Sequence, residues 1–254
     1  MESFFSTEIL SALLTLTFLE IVLGIDNILF VSIIAGKLTG KQQKKAVRIG
    51  LAMAMILRLL LLLGISVLMR MQATWIKLDN PIIQAEISGQ AIILFLGGLF
   101  LLYKSTKEIY EKVELKEDQN IHLRGQTSLT KAVLQITLIN LVFSVDSILT
   151  ALGMSNGLPH AGMVMGTAIV VSVLIMMLFA HPVGDFVNQH PSLQVLGLSF
   201  LLLIGFMLLA EAAHLSHTEI LGQTVGSIPK GYLYFAIAFS LGVEFINMKL
   251  RKKP

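Results

Sequence analysis

The chain predicts an all-α polytopic membrane protein with seven transmembrane helices, built as two inverted-topology three-helix repeats plus a C-terminal helix. Three observations carry that expectation. Of the 254 residues, 55% are hydrophobic and only 14% charged, where a soluble domain has about a quarter charged. The apolar residues gather in long blocks instead of recurring at the periods of half-buried elements. Finally, the stretches 18–31 (FLEIVLGIDNILFV) and 138–151 (LINLVFSVDSILTA) match when the chain is slid by 120 residues.

A spanning helix needs about 20 mostly apolar residues. Seven blocks qualify, at roughly 9–35, 46–69, 87–103, 130–154, 161–181, 193–213 and 230–248. The first holds Glu20, Asp26 and Asn27, and the second has Arg58 near its middle. The third and sixth share a pattern at an offset of 107: LFLGGLFLLYK (94–104) and LLLIGFMLLAE (201–211). Gly97, Gly98 and Gly205 in these blocks suit close helix contact. Between them, KSTKEIYEKVELKEDQNIHLRG reads as a solvated helix followed by a loop. HPVGDFVNQHP, after the fifth block, reads as a short loop whose prolines bound a turn. The whole is expected to be one transmembrane domain over 1–254, with repeat one about 1–104, a connection about 105–129, repeat two about 130–213 and an added helix about 230–248.

Lysine and arginine set the expected orientation. They concentrate between Lys37 and Arg48, between Lys104 and Lys131, and in the tail from Lys249, whereas the opposite loops carry only Arg70, Lys77 and Lys230. The positive-inside rule then puts the N-terminus outside and the C-terminus in the cytoplasm. The first and fourth blocks would run in opposite directions, so their aspartate motifs are antiparallel. Inverted repeats with polar residues near the midplane are a transporter signature.

The net charge of +3 sits in loops and tail, which is a topology signal and no reason to expect nucleic acid as a partner. With no cysteine in the chain, thiolate metal sites and disulfides are excluded. MESFFSTE lacks a basic n-region, so a cleaved signal peptide is not expected.

A carboxylate at membrane depth costs at least about 2.5–3.5 kcal/mol and is tolerated where it faces a cavity, binds a cation or pairs with a base. Asp26 and Asp146 fall at matching positions of the repeat; Asn140 falls on Glu20, Ser144 on Gly24 and Ser147 on Asn27. Glu20 and Asn27 are seven residues apart and share a helix face, with Asp26 on its flank; Asn140, Ser144 and Ser147 line up likewise beside Asp146. Facing each other, the motifs offer only oxygen ligands, which suit Mg²⁺, Ca²⁺ or Mn²⁺ better than Zn²⁺ or Cu⁺. Lone Asn and Ser residues in membranes more often make interhelical hydrogen bonds; a duplicated aspartate is a poor glue. Arg58 is the natural charge partner, through an internal ion pair with Glu20 or Asp26. Gly24, beside the aspartate, allows local unwinding that would lend backbone carbonyls to the site.

Other polar groups are weaker candidates. Glu211 and His214, with His217 beyond, suit a secondary cation site or a wet helix end. Ser240, Glu244 and Asn247 form a small polar face, so Glu244 and Asn247 are candidate gate residues. A metal role for His181, Asp185 and His190 is the less favoured reading of that loop.

LEIVLGIDN (19–27), GGLFLLYKSTKEI (97–109), FSVDSILTA (143–151), GDFVNQHP (184–191) and KGYLYFAIAFSLGVEFIN (230–247) resemble the TerC family of integral membrane proteins, in its short form without added cytoplasmic domains. That family is named for tellurium resistance and belongs with the LysE-type exporters. Its better understood members are implicated in manganese efflux and in supplying metal to exported proteins. The resemblance puts the family's acidic motif on Glu20, Asp26 and Asn27 and on Asp146 and Ser147. It departs at Asn140, which is usually acidic in the family; one carboxylate fewer weakens charge compensation for a dehydrated divalent ion.

The resemblance implies a protein of the bacterial cytoplasmic (inner) membrane that exports a divalent cation, manganese favoured, as a substrate and not as a resident cofactor. Asp26 and Asp146 would be ligands, with Glu20, Asn27, Asn140 and Ser147 at or beside the ion, and protons as the coupling ion. Beyond the ion and the bilayer, the partners to consider are a second copy of the chain or the secretion machinery. A non-transporting factor for metal loading of exported proteins is the alternative. An intramembrane aspartyl protease is a remote one, because GIDN and SVDS lack that class's GxGD motif; no enzyme is expected.

Overall fold

A computed structural model of the chain describes residues 7–113, 128–155 and 160–251. The elements run α1 (Thr7–Ala35), α2 (Lys41–Leu63), α3 (Ile65–Arg70), β1 (Thr74–Asp79), β2 (Ile83–Ser88), α4 (Gly89–Val113), α5 (Leu129–Ser155), α6 (Ala161–Gln189), α7 (Pro191–Leu215), β3 (Glu219–Ile220), β4 (Gln223–Thr224) and α8 (Lys230–Arg251). Seven of these helices, all but α3, are long and apolar enough to cross a membrane. This is an all-α polytopic membrane protein. Helices are what an apolar chain must form in lipid, where no water is present to take up backbone N–H and C=O groups.

Three local expectations are corrected. First, α4 continues through Lys104 to Val113, and its Ser105 and Glu108 are buried, so this face of the mixed-charge stretch is packed and not solvated. Second, 181–189 is helix: α6 runs through Pro182 to Gln189, and the break comes only at His190, whose extended backbone caps α7 with Pro191 in the first turn. Third, α1 is unbroken at Gly24.

The chain divides into two compact units. The first holds α1, α2, α5 and α6. There α1 packs mainly on α6 and α2 on α5, with further contacts between α1 and α5 and between α2 and α6. Buried positions recur along the sequence. Leu16, Glu20, Asn27 and Ile28 of α1 are buried, and so are Ile136, Asn140, Ser147 and Ile148 of α5, 120 residues on. Ala46, Gly50, Leu51, Ala54 and Arg58 of α2 are buried, as are Val164, Ala168, Ile169, Ser172 and Met176 of α6, 118 residues on.

In the second unit α4 packs on α7, α8 rests on α7, and a four-stranded sheet in the order β1-β2-β3-β4 joins them. The α4–α7 crossing brings backbone to backbone. A Cβ on Gly98 would lie 2.8 Å from the Gly205 carbonyl oxygen, and one on Gly205 would lie 3.1 Å from that of Gly98. The two glycines are themselves 107 residues apart. β1 and β2 are antiparallel, pairing Ile76 with Ile87, Lys77 with Glu86 and Leu78 with Ala85, and β2 pairs Ile83 with Ile220 of β3. The β3–β4 turn places Leu221 and Gly222 at φ 53° and 76°, the double positive φ of the tightest hairpin loops.

Candidate functional site

The polar side chains of the first unit meet around Arg58. It lies on α2 and is only 2% exposed. Its Nη1 donates to Oε2 of Glu20, itself 3% exposed, on α1. Its Nε donates to the Ser144 hydroxyl on α5 at 3.1 Å. One guanidinium from α2 thus binds α1 and α5 together. Paired burial is the condition under which such charges persist, because an isolated ion of this size loses several kcal/mol of solvation in the interior. Arg58 lies far from the start of α2 at Lys41 but near its end at Leu63, so its bonds to Glu20 and Ser144, and not distance from the interface, account for its head lying inside the unit.

The rest of the α5 motif is satisfied along its own helix. Asn140 Nδ2 donates to the Ile136 carbonyl at 2.9 Å, the Ser144 hydroxyl to the Asn140 carbonyl, and the Ser147 hydroxyl to the Ser144 carbonyl at 3.3 Å. Such back-bonding lets hydroxyl and amide groups sit in a spanning helix. Asn27 on α1 differs. It is 2% exposed, and neither its Oδ1 nor its Nδ2 has a hydrogen-bond partner among the described residues. A buried carboxamide without partners costs about 1–3 kcal/mol per group.

The backbones at Asp26 and Asp146 are helical, but their side chains lie outside the described residues. Each aspartate is about nine residues from the C-terminal end of its helix, at Ala35 and Ser155 respectively, roughly 13 Å along the axis. Chain neighbours Asn27, Val145 and Ser147 are buried. Gly24 serves packing: a Cβ there would lie 2.2 Å from the Met176 Sδ on α6.

The other candidate residues are dispersed. Glu211 and His214 sit in the last turns of α7, half-buried and exposed. On α8, Ser240, Glu244 and Asn247 are all half-buried, and Asn247 Nδ2 donates to Glu244 Oε2 at 3.5 Å. On α6, His181 Nδ1 meets Asp185 Oδ2 at 3.2 Å on the exposed surface. His190 is the residue before α7. Among the described residues no three His, Asp or Glu side chains cluster closely enough to hold a metal. Glu108 of α4, 2% exposed and paired with Lys104 at 2.8 Å, was not anticipated. Its signal was the i,i+4 spacing of opposite charges.

The profile of the "Integral membrane protein TerC family" matches residues 5–253. The "UPF0053 protein" of Haemophilus influenzae is 42% identical over 241 residues, covering 95% of this chain and 94% of the relative. The "UPF0053 inner membrane protein YgdQ" of Escherichia coli is 44% identical over 246 residues, covering 95% and 93%. "UPF0053 inner membrane protein YoaE" of the same species is 41% identical over 252 residues, but the chain spans only 45% of it. No solved structure matches. On the full-length match and the shared identity, the chain belongs to the TerC family of integral membrane proteins.

Proposed function

We propose that the protein is a secondary transporter of the bacterial inner membrane that exports a divalent cation, manganese favoured, through an oxygen-lined site between α1 and α5. The observation that carries this reading is the Arg58 bridge, a cation held by Glu20 on α1 and Ser144 on α5 beside the two aspartate positions. Arg58 then acts as an internal counter-ion. It neutralises the acidic site while no metal is present and yields Glu20 when a divalent ion arrives. Asp26 and Asp146 are the ligands in this reading, Asn27 brings an amide whose polar atoms have no hydrogen-bond partner among the described residues, and Asn140 and Ser147 complete the set. A proton on one carboxylate replaces the metal on the return step.

Recurrence of burial at offsets of 120, 118 and 107 supports an inverted repeat. So does the exchange in packing, where α1 takes α6 as α5 takes α2. Such halves place discontinuities of polarity near the midplane and alternate access around them. The name of the Escherichia coli relative supports the inner membrane, and the distribution of basic residues supports an external N-terminus with a cytoplasmic C-terminus.

The test is flux of Mn²⁺, Ca²⁺, Mg²⁺ and Zn²⁺ into proteoliposomes, with and without a pH gradient. Purified wild-type protein is expected to move Mn²⁺, and Asp26→Asn and Asp146→Asn are each expected to abolish that flux while leaving the elution volume unchanged. Undiminished flux in either variant overturns the site. Absence of flux for every cation overturns the transporter and leaves the metal-loading factor.

A further inference from the structure

We propose a second binding site in the first unit, for the phosphate of an anionic phospholipid, at the corner where α2 begins and α6 ends. A cavity of about 280 Å³ opens there between α1, α2 and α6, near the lower end of the roughly 300–1,000 Å³ range of small-molecule sites. Lys44 and Arg48, one turn apart on α2, stand on one side of it, and Ser32 and His181 on the other. Met177 and Leu178 complete the wall, and Leu178 is largely exposed. Two basic side chains beside an apolar wall match a headgroup phosphate and its acyl chain; the Ser32 hydroxyl donates to the Ile28 carbonyl at 2.6 Å and adds no donor. Asp185, 3.2 Å from His181, lines the neighbouring cavity, which leaves Lys44 and Arg48 as two cationic groups against one carboxylate near the site.

The depth fits as well. Lys44 and Arg48 are three and seven residues into α2, which starts at Lys41, or about 5 and 11 Å from its end, in the outer third of the helix. A general excess of basic residues at one membrane face would need no cavity. The internal recurrence sharpens the contrast: 118 residues after Lys44 and Arg48 stand Gly162 and Gly166, and 118 before His181 and Leu178 stand Leu63 and Leu60. Glycine and leucine thus stand in place of these basic and imidazole groups, and a Cβ on Gly166 would lie 3.7 Å from Leu62. Basic pockets between spanning helices are a recurrent means of holding anionic headgroups.

Native mass spectrometry of the full chain in detergent, titrated with phosphatidylglycerol, phosphatidylcholine or inorganic phosphate, tests this. Wild type is expected to retain phosphatidylglycerol at least about tenfold better than phosphatidylcholine. The Lys44→Ala/Arg48→Ala pair should lower that retention by about tenfold or more. Lys41→Ala/Lys45→Ala, on the same helix but off the cavity, should change it less than about twofold. If the cavity pair fails to fold, Lys44→Gln alone should still cost about threefold. Equal losses from both pairs, or no preference between the lipids, would overturn the site. Displacement of phosphatidylglycerol by equimolar inorganic phosphate would overturn the lipid assignment.

Discussion

The motif on α1 and the motif on α5 occupy the same places in their helices, yet they manage polarity by opposite means. On α1 the face reads Glu20, Gly24, Asn27; on α5 it reads Asn140, Ser144, Ser147. The α5 face is neutral and closes its own hydrogen bonds along the helix. The α1 face is charged and borrows Arg58 from α2. The position that corresponds to Arg58 on α6 is Met176, and it packs over Gly24, where Arg58 meets Ser144. Where α1 carries Glu20 with Arg58 on α2, α5 carries Asn140 with Met176 at the matching position of α6, so at these positions an acid is balanced by a base and a neutral group by a neutral one.

Turning the first half into the second is the severest test of that balance. Arg58→Met leaves the Glu20 carboxylate buried without a partner, at a cost of about 3–5 kcal/mol. Glu20→Gln/Arg58→Met should recover most of the loss in chemical unfolding of the detergent-solubilised protein. Equal losses in the single and double variants would mean that Arg58 is held by packing alone. Alanine at the two equivalent small positions should cost less, and for opposite reasons. Ser144→Ala removes an acceptor for a charged donor, at about 1.5–3 kcal/mol. Gly24→Ala drives a methyl against Met176, a flexible side chain that can yield, so about 1 kcal/mol is expected. Met176→Ala should relieve the second variant and not the first, as read from melting temperatures.

The smallest effect belongs to the exposed ion pair on the sheet, Lys77 with Glu86 at 2.6 Å, which gives a scale for the buried one. The hydrogen bond and charge of Lys77 hold the Glu86 carboxyl below its ordinary range, and Glu86 in turn raises the Lys77 ammonium. The Glu86 contribution is present above the ordinary carboxylate range and lost as pH falls through its lowered value. The Lys77 contribution is present below the ordinary lysine range and lost as pH rises through its raised value. Lys77→Met should therefore loosen amide protection in β1 and β2 slightly at neutral pH and make no difference in strong acid. Solvent screening keeps the neutral-pH effect small.

Much of this was legible from residue order. Long apolar runs in lipid admit only helices, and a buried acid midway along one demands a base, so Arg58 was expected on Glu20 or Asp26, and it meets Glu20. The misreadings have physical causes. Lys104 and Glu108 look solvated because both are charged, but at i,i+4 spacing they neutralise each other on a face that packs. Pro182 suggested a turn, yet a membrane helix tolerates the lost hydrogen bond when neighbours compensate. The hairpin had a signal that went unused: TWIKLD and IQAEIS alternate in polarity on either side of Asn80 and Pro81. Gly24 was the hardest to read, because what a glycine admits is decided by a residue on another helix, here Met176.

The touching backbones of Gly98 and Gly205 restrict how α4 and α7 can move. Sliding one helix along the other would press Leu101, Leu102 and Leu209, which already border the two glycines, against the opposing backbone. The α4–α7 pair is built to move as a single strut.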